Sequence, residues 1–139
     1  MPRKFAIVAL SMTFLAGLTL ADEESPLEKL MEKIQAKTNA IRKVTRNAAE
    51  YKKGAASIAK DTEEIVKLAK ESRDMKEPSD KEKKPLAEWQ KLTDDMIHAT
   101  EELGKITADS KTTQAQAKEA FTTFTKTCSA CHTIYKKED

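Results

Sequence analysis

Near its C-terminus the chain reads Cys128-Ser129-Ala130-Cys131-His132. These are its only two cysteines and one of its two histidines. On a helix, residues three apart occupy neighbouring parts of one face, so both thiols can reach one edge of a flat partner. An imidazole follows directly. C-x-x-C-H is the spacing that attaches c-type haem, with a thioether from each sulfur and an iron ligand from the histidine. Competing chemistries fit less well. A redox dithiol of this spacing is expected beside a βαβ pattern, which the sequence lacks. Half a zinc site would need a second cysteine pair, and there is none. A small local disulfide formed after export is the plainest alternative. No Ser/His/Asp set, phosphate loop or di-metal carboxylate motif is present, so the chain does not read as an enzyme.

The elements that must position this motif are helices. The 139 residues are 35% charged and 5% aromatic, with 3 glycines, which counts against a sandwich, barrel or dinucleotide-binding sheet. Ser25-Pro26-Leu27-Glu28 reads as a capping box with Pro at the first helical position. The stripe Leu27, Leu30, Met31, Ile34, Thr38 and Ile41 follows, and the helix should end near Thr45 or Arg46. Asn47 can cap a second helix with Tyr51, Ala55, Ile58, Thr62, Ile65 and Ala69 on one face. Arg73 to Pro85 reads as a charged loop. A third helix carries Trp89, Leu92, Met96, Leu103 and Ile106, and the pattern lapses over Asp109 to Thr113. The last carries Ala117, Phe121, Phe124, Cys128, His132 and Tyr135, and should end near Lys137. The expected fold is all-α, an antiparallel up-down-up-down four-helix bundle.

Residues 1–21 read as a signal peptide to be set apart from residues 22–139. Arg3 and Lys4 precede an apolar run of 16 residues from Phe5 to Leu20, and Thr19-Leu20-Ala21 supplies small residues for cleavage after Ala21. The run is shorter than the ~20 residues that span a bilayer. Cleavage would leave 23 basic and 23 acidic residues, so the precursor's net charge of +2 belongs to the leader. A neutral chain of interspersed signs gives no support for nucleic-acid binding. The mature chain is expected to be soluble, off the membrane, and periplasmic.

Three methionines remain as partners for a haem iron that His132 would hold on one side: Met31, Met75 and Met96. In up-down order the start of the first helix and the end of the last share one end of the bundle. Met31 lies five residues after Pro26 and His132 five before Lys137, which places them at similar height. Met96 is about ten residues into its helix, roughly 15 Å along the axis, and too deep. Met75, in the connection at the same end, competes with Met31. His98 falls opposite Trp89, Met96 and Leu103, among Asp94, Asp95, Glu101 and Glu102, and reads as a surface residue.

This arrangement resembles the class II c-type cytochromes, cytochrome c′ and cytochrome c556. The resemblance covers the mature chain as architecture and is specific in the haem motif. Cys128, Cys131 and His132, then Tyr135-Lys136, look like the family's H-x-x-Y-[R/K] ending, and Trp89 resembles a tryptophan common at that place. Lys29-Leu30-Met31-Glu32-Lys33 looks like the Lys-Leu-Met-Lys stretch of the c556 type, which implies Met31 as sixth ligand. The start of the first helix is also similar to cytochrome b562, a bundle with Met/His haem. In the c′ type an apolar residue faces an open iron instead. Relatives often dimerise, so a homodimer is an open possibility here.

The resulting expectation is a mono-haem one-electron carrier that exchanges electrons with redox partner proteins. Phe121, Phe124, Trp89, Leu27 and Ile34 would shield the haem c, with Phe124 and Trp89 in its binding site. Lys81, Lys83, Lys84, Lys136 and Lys137 are expected to gather at the haem end and steer an acidic partner. Two alternatives stand beside it: a five-coordinate protein of the c′ type binding NO or CO, and a haem-free helical binding protein of the envelope.

Overall fold

The computed structural model describes residues 24–136. The expected leader, its cleavage after Ala21, and Lys137 lie outside them. Five helices follow one another: α1 (Pro26–Thr45), α2 (Ala48–Arg73), α3 (Glu77–Glu82), α4 (Leu86–Ala108) and α5 (Gln114–Tyr135). Local signals set their starts. Ser25 Oγ accepts from the Glu28 N–H at 3.2 Å, while Glu28 Oε2 accepts from the Ser25 N–H at 2.8 Å. Asn47 Oδ1 accepts from the Glu50 N–H at 2.9 Å. Thr113 and Gln116 form a second capping box, which turns the lapse after Asp109 into the start of α5.

The four long helices pack in sequence order, α1 on α2, α2 on α4, α4 on α5, as an up-down bundle. The fourth side, between α5 and α1, is the most open. Two glycines let backbones approach. A Cβ on Gly54 would sit 2.8 Å from Val44 across the α1–α2 interface, and one on Gly104 would sit 2.8 Å from Thr62 across α2–α4. Among the described residues, no helix is long and apolar enough to cross a membrane.

The core contains Leu30, Ile34, Ile41, Ile58, Ile65, Leu103, Phe121 and Phe124, as their spacing predicts. On α4 the expected stripe is rotated. Leu92 is half-buried and Ile106 is 37% exposed. The buried face runs instead through Trp89, Thr93, Met96, Ile97, Thr100, Leu103 and Thr107. The threonines explain the error. Thr93, Thr100 and Thr107 recur every seven residues, and each hydroxyl donates to the carbonyl four residues before it, at 2.7 to 2.9 Å. A hydroxyl satisfied on its own helix carries little cost into the core, so a residue that reads as polar is buried.

The Arg73–Pro85 segment is not a loop throughout, because it contains α3. Pro78 suits the first turn of a helix, and the turn buries Pro78 and Ser79 while its charged residues face out. α3 ends on Lys83, the one non-glycine at positive φ (53°) among the described residues. α5 also stops at Tyr135, short of Lys137. Lys83→Gly should raise stability by about 0.5–1 kcal/mol, because only glycine enters that left-handed region without a Cβ penalty. Urea denaturation of the two proteins measures it.

Candidate functional site

α5 carries the Cys-Ser-Ala-Cys-His segment in its last two turns. Both cysteines are free and half-buried. Cys128 packs against the core, and its Sγ lies 3.8 Å from the Phe124 carbonyl. Burial raises the Cys128 thiol pKa against smaller lowering influences that include Arg42 of α1. Burial, with Cys128 beside it, pushes Cys131 up to about 11. His132 is exposed. Partial desolvation and the Lys136 ammonium hold its imidazole below the usual histidine value. Among the described residues, no three His, Cys, Asp or Glu side chains converge to hold a bare metal ion. The thiols and imidazole are spread along a helix face, an arrangement better suited to the edge and centre of a macrocycle than to chelation at one point.

The α1–α5 register follows from residues shared across the seam. Arg42, Thr45 and Arg46 line one groove with Lys118, Phe121, Thr122 and Thr125. Gln114 Nε2 donates to the Thr45 carbonyl at 2.6 Å. The Gln114–Thr45 hydrogen bond taken alone brings His132 level with Leu27, and the outermost groove residues, Arg42 and Thr125, bring it level with Gln35. Met31 lies midway between these two limits. Direction can be read the same way. At about 100° per residue, Met31 and Gln35 lie within about 20° of Arg42 on α1, and His132 within about 20° of Thr125 on α5. Met31 and His132 therefore occupy the facing sides of the open seam. Met31 is half-buried and packs against the core from its edge.

Of the other methionines, Met96 is buried on α4, and Met75 is half-buried beyond the end of α2. His98 is exposed, as its phase predicts. Phe124 is fully buried one turn before Cys128 and packs against Phe121, with ring centroids 6.1 Å apart. Trp89 is 3% exposed. Its indole N–H donates to the Ser72 carbonyl at 2.9 Å, and its ring meets Tyr135 edge to face at 5.2 Å. One side chain thus ties the ends of α2 and α5 to the start of α4. The Tyr135 and Ser79 hydroxyls are buried beside this contact with no hydrogen-bond partner. Sequence periodicity did not reveal the Trp89–Tyr135–α3 cluster, because it depends on three helix ends meeting.

The lysines expected at this end do not form a one-signed patch. Lys81, Lys83 and Lys84 are exposed, but Glu77, Asp80, Glu82 and Glu88 are interleaved with them, and Lys84 lies 3.8 Å from Glu88. Trp89→Phe would lose the hydrogen bond to Ser72 and part of the Tyr135 contact. A destabilisation of about 1–3 kcal/mol is expected in urea unfolding.

Comparison with protein-family models, with curated proteins and with solved structures finds no match in any of the three.

Proposed function

We propose that this protein is an exported mono-haem c-type cytochrome of the class II kind, acting as a one-electron carrier outside the cytoplasm. One observation carries the reading: the C-x-x-C-H segment occupies the last turns of α5, and α5 packs far less closely on α1 than on α4. Helix phase supports Met31 as the residue of α1 turned toward that side. The residues fit haem c. Two free, half-buried thiols three residues apart suit two thioether links, and an imidazole with a thioether sulfur across the seam suits low-spin iron. Bound there, haem c supplies an iron that cycles between ferric and ferrous states.

The chain's own residues would do the rest. Cys128 and Cys131 would hold the group covalently, so it would stay bound outside the cytoplasm without exchange. His132 and Met31 would ligate the iron in both oxidation states, which keeps reorganisation small. Phe121, Phe124, Ile34 and Leu30 form the apolar wall behind the seam. Excluding water there favours the less charged ferrous form. Trp89 would act as a positioning residue: by gripping Tyr135 it holds the turn that carries His132.

The reading is tested by producing the full precursor in a host able to mature c-type cytochromes. The denatured protein should keep its haem stain and gain the mass of one haem. Cys128→Ser combined with Cys131→Ser should lose both. A colourless wild-type protein of unchanged mass would overturn the proposal. Met31→Leu should convert a reduced spectrum indifferent to CO into one that CO shifts, and should lower the reduction potential. If the spectrum is unchanged by this substitution, Met31 is not a ligand.

A further inference from the structure

The ion pairs of the bundle are distributed unevenly. α4 carries Glu88, Asp94, Asp95, Glu101 and Glu102, and every one of these carboxylates has a basic partner: Lys84, Arg73, Lys91, Lys70 and Lys105 respectively. The acidic corner is thus neutralised within the molecule. The α1–α5 seam differs. Arg42, Arg46 and Lys118 surround a groove of about 270 Å³ and are all exposed. Arg42 donates only to Asn39, and Arg46 and Lys118 have no ion-pair partner among the described residues. No carboxylate lines this groove; its remaining walls are Thr45, Phe121, Thr122 and Thr125. The acidic residues on this side of α1, Glu24, Glu28 and Glu32, lie in and before its first two turns, and Glu28 is engaged in the Ser25 cap.

We propose that the groove edged by Arg42, Arg46 and Lys118 is the docking surface for a protein partner with a carboxylate-rich patch. The assignment rests on the electron-carrier reading for its purpose, and on charge for its place. Three uncompensated cations around an anion-free groove attract carboxylates at long range and can pair with them at contact. The scale is right for a transient partner. A weak redox encounter buries about 600 Å² a side, a patch about 28 Å across. Lys118 and His132 are about 21 Å apart along α5, so one footprint covers the cations and the haem-bearing turns together. The interleaved 76–88 segment offers no comparable field. On this assignment the docking surface lies away from the connection that carries Lys81, Lys83 and Lys84.

The test is a titration of the mature haem protein with a hexaglutamate peptide at low ionic strength, followed by amide NMR. Shifts should concentrate at residues 42–46 and 118–125 and vanish in about 0.3 M salt, where the screening length falls below about 6 Å. Arg42→Glu, Arg46→Glu and Lys118→Glu together should weaken binding at least about tenfold, whereas Lys81→Glu with Lys83→Glu should leave it unchanged. All five side chains are exposed, so the variants should fold, and circular dichroism checks this. Shifts centred on residues 76–88, no shifts, or full binding by the triple variant would overturn the assignment. Absorbance read in parallel separates the two claims. A haem-loaded protein that binds elsewhere refutes the groove alone, and a colourless protein that binds at the groove refutes the carrier alone.

Discussion

Three helix ends converge on the Trp89 indole. Its N–H satisfies the Ser72 carbonyl at the end of α2, and its ring takes the edge contact of Tyr135 from the end of α5. A helix C-terminus leaves carbonyls without intrahelical partners and frays unless something holds it. Here a buried aromatic side chain supplies both a donor and a packing surface at that point. The consequence is positional. Cys131 and His132 sit within one turn of Tyr135, so the grip on Tyr135 determines which way the reactive turn faces. α3 closes the same end by burying Pro78 and Ser79.

Elsewhere the bundle is held by close approach. Gly54 and Gly104 remove the Cβ atoms that would keep α1 from α2 and α2 from α4. Buried threonines at Thr38, Thr45, Thr62, Thr93, Thr100 and Thr107 return their hydroxyls to their own helices. Three sides close tightly on this framework, and the α1–α5 side stays comparatively open. This asymmetry gives the proposed function its physical room. The cations beside the seam, set against the fully paired carboxylates of α4, give that side an electrostatic character that the small net charge of +2 conceals.

Much of the architecture was legible from local signals. Capping at Ser25 and Asn47 and apolar spacing on α1 and α2 specify helices whose faces are those observed, while on α5 the expected stripe is buried at Ala117, Phe121 and Phe124, half-buried at Cys128 and Tyr135, and exposed at His132. Thr93, Thr100 and Thr107 read as polar, so the α4 stripe was drawn through Leu92 and Ile106, which lie to one side of the true core face. Their hydroxyls are satisfied locally, a fact invisible to a hydrophobicity pattern. α3 was missed because six residues carry too little periodicity to read, and its stability comes from burying Pro78 and Ser79 against the bundle.

For the site, the type, number and spacing of Cys128, Cys131 and His132 were fully present in the sequence, because residues on one helix have fixed relative placement. Up-down order also places Met31, near the start of α1, at the same end of the bundle as His132, near the end of α5. Tertiary packing alone decided the rest. Which side of the bundle stays open, which turn faces it, and which charges find partners all depend on contacts between residues tens of positions apart. Arg73 and Lys70 of α2 find Asp94 and Glu101 of α4, while Arg46 and Lys118 find no ion-pair partner among the described residues, though nothing in their local sequence distinguishes them. Local free energies form helices and pairs one turn apart, such as Lys91 with Asp95, but only packing brings charges of different helices together.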